Sequence, residues 1–126
     1  MRKPILTAMI VMAMVLSLFA TSGQAQAGEA KDFWEFYSAI HNHPFLVCTR
    51  AHESDMAGGY TAISSTGKYR GAYQFSQETW DSTAEHAGWW FLVGVHPATV
   101  NPFWQDLTAA VLYGWQGSAP WLGRCA

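Results

Sequence analysis

The chain has 126 residues, half of them hydrophobic and 13% charged, with a formal net charge of −2. Nine acids against seven bases give no Lys/Arg excess of the kind that nucleic acid or an anionic membrane selects. The length allows one small domain and not two.

Arg2 and Lys3 open a segment whose apolar run, Ile5 to Ala20, is shorter than the roughly 20 residues of a spanning helix. Ala25-Gln26-Ala27 then supplies the small-x-small pattern that a signal peptidase reads. The expected organisation is a signal peptide over 1–27 and a single domain over 28–126, secreted and without a stable membrane anchor. Removing Arg2 and Lys3 makes the exported part more acidic still. All seven Trp and all five Tyr lie in that part, in numbers that suit a dense core or a surface on which sugars stack. Cys48 and Cys125 are its two cysteines, and in an oxidising compartment the default is a disulfide, with two free thiols as the alternative. Closing so long a loop contributes roughly 4 kcal/mol on the chain-entropy model, less any strain.

Phe33, Phe36, Tyr37 and Ile40 recur at i, i+3, i+4 and i+7, the spacing of one helical face. Asn42-His43-Pro44 ends that helix, and Pro44 is well placed to start a second. On the second, Phe45, Cys48, Thr49 and His52 share a face, Glu53 falls at the end, and Gly58-Gly59 stops it. From Tyr60 the period changes. Tyr60–Ile63 and Tyr69–Tyr73 are short and β-prone, and Ser64-Ser65-Thr66-Gly67 between them predicts a small irregular hairpin. Ser76 is a suitable N-cap for a helix running to about Ala87, with Glu78 in its first turn and Gly88 closing it. Gly88 to Val100 is apolar but aperiodic and reads as an ordered loop. Asn101-Pro102 starts the last long helix, with Phe103, Leu107, Ala110, Val111 and Trp115 as its expected buried face. Helices around a small hairpin make the expected fold class α+β.

Glycosidic bonds break when a carboxylic acid protonates the leaving oxygen. Glu53 could be such an acid if burial and the negative end of its helix keep it protonated. Spacing alone favours the plainer reading, a hydrated Glu at a helix end. Asp55 points away from Glu53 at i+2, and Asp81 has no motif behind it. His41, His43 and His52 lack the paired spacing of a zinc protease, and Ser54 and Ser76 lack a nucleophile context.

A longer pattern singles Glu53 out. Glu53-Ser54, Gly58-Gly59, Ile63, Tyr69, Gly71-Ala72-Tyr73-Gln74-Phe75-Ser76-Gln77 and Thr79-Trp80 resemble the transglycosylase-like domain of the resuscitation-promoting factors. In that family Cys-Glu-Ser-Gly-Gly-Asn-Trp precedes Gly-Gly-Leu-Gln-Phe-(Ser/Thr)-Gln-Ser-Thr-Trp. Gln105-Asp106, Gly117, Pro120-Trp121 and Cys125 stand where the family closes, so the resemblance covers roughly Phe45 to Cys125. It implies a lysozyme-like fold and action on bacterial peptidoglycan. It further implies Glu53 as the single general acid, with Gln74, Tyr69 and Ser65 holding sugar. Three departures stand out: Cys48 lies five residues before Glu53 rather than one, Asp55-Met56-Ala57 lengthens the following turn, and Thr61 replaces a Trp.

Two functions follow. The first is a secreted, cell-wall-associated enzyme, glycoside hydrolase or lytic transglycosylase, whose partner is the peptidoglycan glycan strand; no metal or organic cofactor is implied, and a cell-wall enzyme partner is left open. The second is a non-catalytic peptidoglycan-binding or signalling module on the same scaffold.

Overall fold

The computed structural model describes residues 23–55 and 58–125, with side chains from residue 28 onward. The expected signal peptide over 1–27 lies outside the described residues except for the backbone of 23–27, and Met56 and Ala57 lie outside them too.

Four α-helices carry the described residues: α1 (Gly23–His41), α2 (Pro44–Ser54), α3 (Gln77–Ala87) and α4 (Pro102–Gln116). Single 3-10 turns occupy Gly59–Thr61, Trp90–Leu92, Pro97–Thr99 and Ala119–Trp121. The helix starts follow the side-chain chemistry of their caps. Ser76 Oγ accepts from the Thr79 N–H at 3.1 Å, and Asn101 Oδ1 accepts from the Trp104 N–H at 3.1 Å. At the start of α2 the imidazole of His43 accepts from the Phe45 N–H at 3.2 Å, with Pro44 in the first turn. Gly88 ends α3 in a left-handed conformation. α2 stops at Ser54, ahead of the expected Gly58-Gly59.

The core gathers Phe45 and Leu46 of α2, Tyr73 and Phe75, Trp80 and Ala84 of α3, Trp89 and Leu92, Ala109 and Leu112 of α4, and Trp121. Trp80 Nε1–H bonds the Leu92 carbonyl at 2.8 Å, which fixes the loop after α3. Trp121 Nε1–H bonds the Tyr73 carbonyl at 3.0 Å, which fixes the tail.

The α+β expectation is corrected: among the described residues there is no strand and no sheet. The segment expected to pair has only two isolated bridges, Ile63 with Arg70 and Arg70 with Phe75. The physical reason is Gln105. Its fully buried side-chain amide accepts the Ala72 N–H at 3.0 Å and donates to the carbonyls of Tyr60 at 3.0 Å and Val100 at 2.8 Å. Two hairpin bonds form, Ser64 N–H to the Tyr69 carbonyl at 2.8 Å and Gly71 N–H to the Ala62 carbonyl at 2.7 Å; beyond them Gln105 takes the Tyr60 carbonyl, Gly59–Thr61 coils and the chain after Arg70 folds back as a turn. Gly71 makes the approach possible. Its φ is +82°, and a Cβ there would stand 2.5 Å from Gln105 Oε1.

Asp106, one residue on, is fully buried and joins three layers. Its carboxyl group accepts from Tyr37 Oη of α1 at 2.8 Å, from Tyr60 Oη at 2.8 Å and from Tyr73 Oη, and lies 2.9 Å from His41 Nδ1. Arg50 of α2 approaches it at 3.5 Å and donates to Tyr73 Oη and the His41 carbonyl, each at 2.7 Å. Burial, then the bonds to Asp106, push the Tyr37 phenol up to about 12 and raise Tyr60 and Tyr73 further. The fully buried residues of α4 are accordingly Gln105, Asp106, Thr108, Ala109 and Leu112; of the expected face Leu107, Ala110 and Val111 pack half-buried against the core, and Trp115 is exposed. On α1, Phe33 and Tyr37 meet Phe103, whereas Phe36 is exposed.

Cys48 and Cys125 form a disulfide across a sequence separation of 77, with Cα atoms 5.9 Å apart. Reduction is expected to lower stability by about 2–4 kcal/mol. A thermal midpoint unmoved by reductant, with free thiols verified by labelling, would refute a stabilising bridge.

Candidate active site

Glu53 is the second-last residue of α2, so the helix fixes where its side chain emerges. It opens into a cavity of about 270 Å³ lined by Glu53, Tyr69, Gln74, Pro120, Trp121, Leu122 and Arg124. Tyr69 and Gln74 come from the segment folded around Gln105. The other wall is the tail, held by the Trp121 bond to Tyr73 and by the Cys48–Cys125 disulfide. Gln74 and Leu122 are the two non-glycine residues with positive φ among those described, at +51° and +60°, and both line this cavity. Backbone strain of that kind persists where the surroundings over-determine it, and it gathers at functional sites.

The Glu53 side chain is 18% exposed. Burial pushes its carboxyl above the ordinary Glu value, against the opposing pull of Arg124 and, less, of His52. Arg124 Nη1 stands 3.6 Å from Glu53 Oε1, and its own side chain is half-exposed. Glu53 is the one carboxylate among the cavity-lining residues. Asp55 is exposed, and Asp81 accepts from the Gly94 N–H at 2.8 Å and from Gln77 Nε2 at 2.9 Å, which makes it a clasp on the loop after α3.

Of the four residues singled out from the sequence, the cavity brings together Glu53, Tyr69 and Gln74. Ser65 sits exposed in the 64–67 turn and is not among the lining residues. The apolar backing of Glu53 comes from the tail and not from its own helix. Val47 is exposed and Phe45 stacks on Tyr113 at 3.8 Å in the core, so the wall near Glu53 is Pro120, Trp121 and Leu122. Arg124 escaped the sequence reading. Its signal was the disulfide: Cys125 pairs with Cys48 on the helix that ends with Glu53, which carries Arg124 to the same place. His52 lies close to both bridge sulfurs, but the disulfide leaves no thiolate there to ligate a metal.

Comparison with known proteins gives a match with the probable transglycosylase SceD of Staphylococcus haemolyticus (strain JCSC1435), 36% identical over 70 residues. The matched stretch is 56% of this chain and 28% of that protein, so the chain spans under a third of its relative's length. The similarity is to a transglycosylase-like protein. No family model and no solved structure matches. Among the described residues no helix is long and apolar enough to cross a membrane.

Proposed function

We propose that the protein cuts the glycan strand of peptidoglycan, with Glu53 as general acid and Tyr69 and Gln74 positioning sugar. The observation that carries this reading is a solitary, largely buried carboxylate, raised in pKa, in a cavity of sugar size. The similarity to a probable transglycosylase supports it. The Glu53 proton passes to the glycosidic oxygen as the bond to the anomeric carbon breaks. With no second carboxylate among the described residues that line the cavity, the scheme has a hydroxyl of the same sugar close onto the anomeric carbon and return its proton to Glu53. The net reaction consumes no water, which makes the protein a lytic transglycosylase. Ser65 takes no part in this scheme. Residues 1–27 would direct the chain out of the cell and be removed, leaving 28–126 as the acting domain.

Purified protein incubated with insoluble walls is expected to release soluble muropeptides whose mass is lower by one water than that of hydrolysis products. Reducing ends would reassign the protein as a hydrolase, and the absence of any soluble fragment would overturn the enzymatic reading. A second reading, binding without cleavage, is favoured by the Arg124 contact, which holds the acid toward its ionised form. Retention on insoluble walls without clearing would select it.

A further inference from the structure

The cavity pairs its single acid with a single base in a chain that is net acidic. Among the described residues the charged neighbour of Glu53 in the lining is Arg124, at 3.6 Å. His52, adjacent to Glu53 on α2, is a second basic side chain that acts on it, while Gln74 and Tyr69 line the other wall. Among the described residues the Arg124 guanidinium makes no hydrogen bond to the protein, and its one ion pair is longer than the 2.7–2.9 Å of a charge-assisted bond. Its planar fork is therefore free to take a carboxylate through two parallel bonds. The disulfide at the neighbouring Cys125 keeps it at the cavity.

Resting on the muralytic reading of this site, we propose that Arg124 is a specificity-determining residue that binds a carboxylate borne by the glycan and in doing so releases Glu53. In the empty cavity the guanidinium neutralises Glu53. When a substrate carboxylate takes the fork, the buried acid loses its counter-charge and gains a negative neighbour, so it binds a proton and is ready to act. An uncharged glycan lacks the means to draw Arg124 away and meets an acid held toward ionisation. Two carboxylates could serve: the lactyl group of the muramoyl sugar, or those of an attached stem peptide.

The test uses the Glu53→Gln protein, which does not cut, and three probes: a glycan oligomer with free lactyl carboxylates, its methyl ester, and the oligomer with its lactyl groups amide-linked to stem peptides. Calorimetry is expected to give about tenfold tighter binding of a carboxylate-bearing probe than of the ester. The favoured probe identifies the carboxylate source. Adding Arg124→Gln is expected to erase the preference, and Arg124→Lys to restore part of it. Equal affinity for all three probes, or a preference that survives Arg124→Gln, would overturn the proposal alone. Failure to bind any of the three would overturn both it and the function on which it rests.

A kinetic reading separates binding from packing. With wild-type protein and the carboxylate-bearing oligomer, the alkaline limb of kcat is expected at higher pH than that of kcat/KM, because the two report the bound and the free protein. In Arg124→Gln the two limbs should coincide. Separate limbs in that variant would refute the coupling of Arg124 to Glu53.

Discussion

Glu53→Gln is expected to abolish release of soluble fragments from purified walls while leaving the thermal midpoint at pH 7 unchanged or higher. The first half follows from chemistry. Glutamine fills the same space but has no proton to give, and loss of a positioned general acid costs about 10²–10⁴-fold in rate. The second half follows from linkage. Burial raises the carboxyl pKa in the fold above its unfolded value. Such a group contributes stability that is full below the unfolded pKa and is lost as pH rises through the folded one. At pH 7 the ionised side chain therefore weighs against the fold, and the half-exposed Arg124 partner returns little. Glutamine removes the charge and its desolvation. Thermal melts at pH 4 and pH 7 check this: the variant should gain on wild type between the two. Undiminished fragment release would exclude Glu53 as the acid.

Asp106→Ala is expected to be the most damaging single change outside the cavity, at roughly 3–5 kcal/mol, the scale for stripping one partner from a buried charged network. Three phenols lose their acceptor at once, and Arg50 is left near Tyr73 with its counter-charge gone. For a domain of this size that is a fall in midpoint of well over 10 °C. Asp106→Asn, which keeps one carbonyl acceptor, should fall less. A midpoint for Asp106→Ala within about 2 °C of wild type would show that the network adds little to stability.

The helix starts were legible because capping is local: Ser76, Pro44 and Asn101-Pro102 act within a turn of their own positions. Glu53, Gln74 and Tyr69 were legible only through a pattern longer than any one element. Tertiary polar chemistry was not. Hydrophobic periodicity placed Phe103, Leu107, Ala110, Val111 and Trp115 on the buried face of α4, because it cannot know that Gln105 and Asp106 find partners inside. The expected hairpin failed for the same cause. Tyr60–Ile63 and Tyr69–Tyr73 have β-prone side chains and pair around Ile63 and Arg70, but a glutamine from α4 takes the Tyr60 carbonyl that the next rung would have used. Arg124 was hidden because its position depends on a cross-link rather than on its neighbours in sequence.

That cross-link also orders events in time. A chain is made from its N-terminus, so Glu53 leaves the ribosome long before Pro120, Trp121 and Arg124 exist to enclose it. Until those residues arrive the carboxyl lacks its Pro120, Trp121 and Leu122 wall, and the pocket has one side. The cavity is thus closed late, by the same Trp121 that completes the core. The order in which the cavity closes is set by where along the chain its two walls were written.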